Sequence, residues 1–241
     1  MMLQIKYAIA GFLMGIAELI PGISGSTIAV VLKIYKNLMS ILSELKWRNL
    51  SLNFFKLSEI FQLKLFLPLI GSMLLSILLF SKAIDYLLSN HEQNFFMALG
   101  CLMIILSIQV ANFFKDVFRK PVLFLFLILG AAIGFFLNSL GLDVISPNLL
   151  YLYASGLLAF AFFLIPGISG SALLIVLGIY STVIQSISQL NFEVLLPFGL
   201  GCLTSLVLLP KFILAVFLRY EEKLLLLFAG LIFSSGYFLI A

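Results

Sequence analysis

Charge is scarce in this sequence, and that scarcity decides its solvent. Only 10% of the 241 residues are Asp, Glu, Lys or Arg, against 63% hydrophobic residues, and the mean hydropathy is +1.24. A soluble domain carries roughly a quarter charged residues, so much of this surface cannot face water. Lipid must surround it. Backbone groups facing lipid have to be satisfied within the chain, which leaves helices or a closed barrel. The apolar runs last about twenty residues and do not alternate, which fits spanning helices and not barrel strands of roughly ten.

Histidine and cysteine are just as sparse. Cys101 and Cys202 each sit inside an apolar run, so neither a structural disulfide nor a metal site is expected. G-x-S-G occurs at Gly22–Gly25 and again at Gly167–Gly170, a pattern also seen around the nucleophile of intramembrane serine proteases. That chemistry needs a general base within reach of the serine. The single histidine, His91, lies in the polar stretch Asn90-His91-Glu92-Gln93 and cannot serve two serines. The His, Arg and Asp clusters of a lipid phosphatase are missing too. No catalytic residue, metal or cofactor is expected, and the chain does not read as an enzyme. The N-terminal run carries Glu18 and no small-residue cleavage site, so it does not read as a removable signal.

What is present is an internal repeat. Gly11–Leu42 and Gly156–Ile187 align without gaps. Both contain L-I-P-G-I-S-G-S (Leu19–Ser26 and Leu164–Ser171), followed by V-L-x-I-Y (Val31–Tyr35 and Val176–Tyr180). Leu67-Pro68 with Gly71, and Leu196-Pro197 with Gly201, open the helices that follow. The expected fold is an all-α polytopic membrane protein of two repeats. The first, 1–148, holds a broken hairpin at 3–42, an interfacial segment at 43–61 with Trp47 at headgroup depth, and helices near 62–81, 93–114 and 121–138. The second, 149–241, holds a broken hairpin at 149–188 and helices near 193–210 and 222–241.

Parity sets the orientation of the halves. From one break to the other the chain crosses the membrane an odd number of times, so the repeats are expected to be inverted, a recurring plan among secondary transporters. Net charge is +4, but the basic residues fall between apolar runs, which argues for topology and against nucleic acid. Lys6, Lys46, Arg48, Lys56, Lys64, Lys115, Arg119, Lys120, Lys211, Arg219 and Lys223 collect on one side. Lys82 stands alone on the other, and Lys33 and Lys36 lean to the basic side. The positive-inside rule then places the N-terminus in the cytoplasm and the C-terminus outside.

Each break ends one helix and starts another. Pro21 and Pro166 lack a donor and disfavour helix before them. Gly22, Gly25, Gly167 and Gly170 permit positive φ or close backbone approach. Ser24 or Ser26, and Ser169 or Ser171, can cap the new helix. With Thr27 their hydroxyls and the free N–H groups suit an anion. The alternative is a plain kink, but broken helices at matching positions of two halves point to a midplane binding site. Glu18, inside an apolar run, is a candidate for proton or sodium coupling; the bland reading keeps it protonated or paired with Lys33 or Lys36. Lys33 and Lys36 either attract a phosphate headgroup or snorkel to the membrane face. Lys82 either receives an anionic headgroup on its own side or serves no site.

The motif E-L-I-P-G-I-S-G-S-T (Glu18–Thr27), with Ile34-Tyr35 and the second L-I-P-G-I-S-G-S with L-G-I-Y, resembles the paired signature of the PopT-like polyprenyl-phosphate transporters. That family was long catalogued as a domain of unknown function. The likeness extends to Leu67–Gly71, Ser81-Lys82 and the closing L-L-P-F…R-Y…G-L segment. It implies flippase-type movement of undecaprenyl phosphate across the bacterial cytoplasmic membrane, for reuse in envelope polymer synthesis. It also implies re-entrant hairpins in inverted halves. Carried onto this chain, the implied functional positions are Glu18, Pro21–Thr27 and Pro166–Ser171. Two other readings stand beside it: a secondary transporter of another small anion or ion, and a non-transporting membrane scaffold.

Overall fold

The computed structural model describes residues 2–20, 23–45, 54–111, 121–139 and 147–240. Every regular element among them is helical: α1 (Met2–Glu18), α2 (Gly25–Val31), α3 (Tyr35–Ser43), α4 (Phe54–Ile60), α5 (Leu63–Ala111), α6 (Pro121–Ser139), α7 (Leu149–Leu164), α8 (Gly170–Val176), α9 (Tyr180–Gln189) and α10 (Phe192–Ile240). Of the expected interfacial segment, 46–53 with Trp47 lies outside the described residues; α4 covers its last part.

α1 and α7 end for the same local reason. The N–H groups of Leu19 and Ile20 turn back onto the carbonyls of Ile16 and Ala17, just ahead of Pro21. Ile165, just ahead of Pro166, is extended (φ −88°, ψ 121°), the conformation a following proline enforces.

A second bend follows each break. α2 meets α3 at 119° and α8 meets α9 at 117°, where the sequence reads as one continuous arm. Both bends are Schellman endings. Lys33 N–H donates to Val30 O and Ile34 N–H to Ala29 O; Gly178 N–H donates to Ile175 O and Ile179 N–H to Leu174 O. The left-handed position is Lys33 (φ 57°) in one copy and Gly178 (φ 66°) in the other. A lysine there gives no turn signal, which is why the bend is hidden in the sequence.

α5 and α10 each run 49 residues. Straight, that is roughly 73 Å at 1.5 Å per residue, over twice the ~30 Å hydrocarbon thickness. Each therefore kinks once, at His91 (φ −140°, ψ 33°) and at Tyr220 (φ −135°, ψ 39°). Residues 90–92, which fall between the helices expected near 62–81 and 93–114, are instead helical around this kink, with His91 exposed.

Packing relies on small residues that let backbones touch, as lipid supplies no hydrophobic drive between helices. A Cβ on Gly11 would strike Leu69 O, and one on Gly156 would strike Phe198 O. α1 on α5 thus repeats as α7 on α10. Gly71 meets nothing, however, and the match to Gly201 is Ser72, whose Oγ faces Gly11. This corrects the sequence pairing by one residue. α6, without a counterpart, lies on α10 through Gly130 and Gly230. Leu63–Ile84, Asn90–Ala111 and α10 are long and apolar enough to cross a membrane, and each bent pair passes as a further span. This is a multi-pass helical membrane protein.

Candidate functional site

The two breaks, 145 residues apart in sequence, touch. Gly167 N–H donates to Thr27 Oγ1 at 2.9 Å. Ser24 Oγ donates to Phe163 O at 3.3 Å, and Tyr35 Oη donates to Leu164 O at 2.9 Å. Inside each copy the serines pair identically: Ser24 with Ser26 at 2.7 Å, and Ser169 with Ser171 at 2.7 Å. Pro21 and Gly22 lie outside the described residues.

The copies then diverge. Ser24 occupies the N-cap of α2 and its Oγ accepts from Ser26 N. Glu18 reaches the same turn, where its Oε1 accepts from Gly25 N at 2.6 Å. Glu18 therefore bonds the break itself, while Lys36 Nζ lies 3.8 Å from Glu221 on α10. Ser24 and Thr27 are at most 1% exposed, with their hydroxyls engaged inside the protein, while Ser26 lines an apolar cavity of about 180 Å³. Ser169 holds the N-cap position of α8, but its hydroxyl pairs with Ser171 and caps no backbone N–H, and Phe163 stands where the first copy has Glu18. Ser169 and Ser171 line a cavity of about 350 Å³ together with Gly167 and Ser235. The first break caps its own helix, while the serines of the second line a largely apolar cavity.

The glycines divide their work. Gly167 sits at φ +88° against Ile232, a turn that L side chains rarely adopt. Gly25 and Gly170 are needed for close approach, since a Cβ would crowd Glu18 Oε1 or Ala159 O. Pro166 is fully buried. Lys33 and Lys36 line a separate cavity of about 290 Å³ with Tyr35 and Glu221. Lys82 is exposed on α5 and lines neither cavity.

Sequence reasoning passed over Ser235, whose Oγ donates to Gly167 O. Its only signal was a Ser-Ser-Gly in the closing apolar run. No group of three or more His, Cys, Asp or Glu that could hold a metal occurs among the described residues.

Fold and site together define a multi-pass helical membrane protein whose duplicated breaks meet in a buried polar centre. The chain belongs to the undecaprenyl phosphate translocase-like family, which matches residues 14–240. A polyprenyl-phosphate transporter of Vibrio cholerae serotype O1 is 28% identical over 237 residues, covering 93% of this chain and 74% of the relative. A polyprenyl-phosphate transporter of Staphylococcus aureus is 29% identical over 243 residues, covering 93% and 82%. No solved structure matches the chain.

Proposed function

We propose that this chain moves polyprenyl phosphate, undecaprenyl phosphate in the first instance, between the leaflets of the bacterial cytoplasmic membrane. Its role is transport and not catalysis. The observation that carries the reading is the meeting of the two Ser-Gly-Ser breaks at one polar centre, in a chain of this family. A phosphate crossing a bilayer needs donors where hydrocarbon offers none, whereas an isoprenoid tail can stay in lipid.

In this reading the halves are inverted, the hairpins are re-entrant, and the N-terminus is cytoplasmic. The headgroup binds Ser169 and Ser171 in the second break, with Pro166, Gly167 and Gly170 shaping the turn. It engages Ser24, Ser26 and Thr27 when the first break opens, with Pro21, Gly22 and Gly25 shaping that turn. Glu18 holds the first break closed as an internal anion. Neutralising Glu18 by a proton or sodium weakens its charge-assisted bond to the Gly25 N–H without removing the acceptor, which couples opening to an ion. Lys33 and Lys36 attract the headgroup on the cytoplasmic side, and Lys82 attracts it outside.

Leaflet exchange of labelled undecaprenyl phosphate in liposomes containing the purified chain tests the reading. Exchange no faster than in empty liposomes rejects it.

A further inference from the structure

Beyond the breaks, three cavities follow one another along the second arm of α10, neighbours sharing lining residues. Lys223, Leu227, Leu231, Ser235 and Leu239 recur every fourth residue, so successive members are neighbours in a row that winds round the helix by about 40° per step. Lys223 and Leu227 line a cavity of about 380 Å³ with Phe126 and Tyr220. Leu227 and Leu231 line the next, about 320 Å³ and apolar, with Phe162 and Ile168. Phe162 and Ile168 also line the cavity of Ser169, Ser171 and Ser235. From Lys223 to Ser235 the lane is about 18 Å long at 1.5 Å per residue, roughly half a bilayer.

Lys223 is the anomaly in this lane. Its Nζ rests 5.2 Å from the Tyr220 ring centroid and 5.5 Å from that of Phe126. Arg219 stacks on the same Tyr220 ring at 5.3 Å. Among the described residues no carboxylate lies within 4 Å of Lys223, and the neighbouring Glu221 is taken by Lys36. Two cations thus share one aromatic ring at the mouth of an apolar groove, and among the described residues neither is ion-paired, although Glu221 and Glu222 lie between them in the chain.

We propose that this groove is a second site for the carrier lipid, with the phosphate on Lys223 and Arg219 and the first isoprene units along Leu227 and Leu231. A lipid so placed has its head at the basic membrane face and its tail towards the midplane. The apolar lane excludes the headgroup itself, so the site holds the lipid after or before its passage through the breaks. A terminal phosphate monoester carries about −1.5 to −2 charges near neutral pH. That matches two cations better than a phosphodiester with one charge. Tail and charge together select an isoprenoid monoester over an ordinary phospholipid. The inference rests on the transport reading above.

Binding of labelled undecaprenyl phosphate to the full chain in nanodiscs, with phosphatidylglycerol as competitor, tests it. Lys223→Gln is expected to weaken binding roughly tenfold, the loss of one charge-assisted contact, and Lys223→Arg to retain it. Leu227→Trp, which fills the groove without touching the charge, is expected to weaken binding comparably. Wild-type affinity in both Lys223→Gln and Leu227→Trp overturns the groove while leaving the transport reading intact. Equal competition by phosphatidylglycerol overturns the selectivity and makes this a general anionic-lipid site. A wild-type chain that neither binds nor moves the lipid overturns the transport reading itself.

Discussion

Thr27 and Gly167 are joined by a hydrogen bond of 2.9 Å, and neither end is exposed. Thr27 was expected to offer its hydroxyl to an anion. Here it accepts from the opposite half and ties the start of α2 to the turn before α8. Thr27→Val keeps the shape and removes the acceptor, leaving a buried N–H without a partner. Such a loss costs about 1–3 kcal/mol. The expected outcome is a lower melting temperature for Thr27→Val in detergent, with Thr27→Ser close to wild type. Equal stability of all three contradicts the tie.

Gly167 makes a stronger demand on the same turn. At φ +88°, with Ile232 N where a Cβ would go, Gly167→Ala adds left-handed strain of roughly 1–2 kcal/mol to a steric collision. A clear loss of thermal stability is expected. Gly71→Ala, in open space on α5, serves as the control and should change it little.

Glu18 separates holding from coupling. Glu18→Gln keeps an oxygen to accept from Gly25 N–H but cannot change charge. Stability should be near wild type, and passive leaflet exchange should persist. Acceleration of that exchange by a proton or sodium gradient should disappear. Gradient-driven exchange equal to wild type in Glu18→Gln removes Glu18 from coupling.

Lys82 and Lys211 report the proposed topology. With Cys101 and Cys202 replaced by serine, single cysteines at these two exposed positions should react with an impermeant maleimide from opposite faces. Lys82→Cys should label in intact cells, and Lys211→Cys only after permeabilisation. Labelling of both from one face contradicts the orientation drawn from the basic residues.

Much of this architecture was readable because lipid imposes simple rules. Apolar length located the helices, and an eight-residue identity located both breaks. The bends at Lys33 and Gly178 were hidden because an apolar hairpin and an apolar span share one composition. The kinks at His91 and Tyr220 were hidden because a helix with one odd residue and a short polar loop look alike in sequence. Within the candidate site, residue types were legible but their employment was not. Only tertiary contact shows that Glu18 bonds Gly25, that Thr27 serves the other half, and that Ser235 reaches Gly167.

The central claim is that the hydroxyl pair of the second break, Ser169 and Ser171, which lines the cavity of about 350 Å³, holds the headgroup. The direct measurement is the rate of undecaprenyl phosphate exchange in liposomes for Ser169→Ala/Ser171→Ala against wild type, at matched protein incorporation. Removing two donors to a charged group, each contributing about 1.5–3 kcal/mol, should slow exchange by tenfold or more with the fold intact. A double variant as fast as wild type would contradict the account and make the breaks packing devices only.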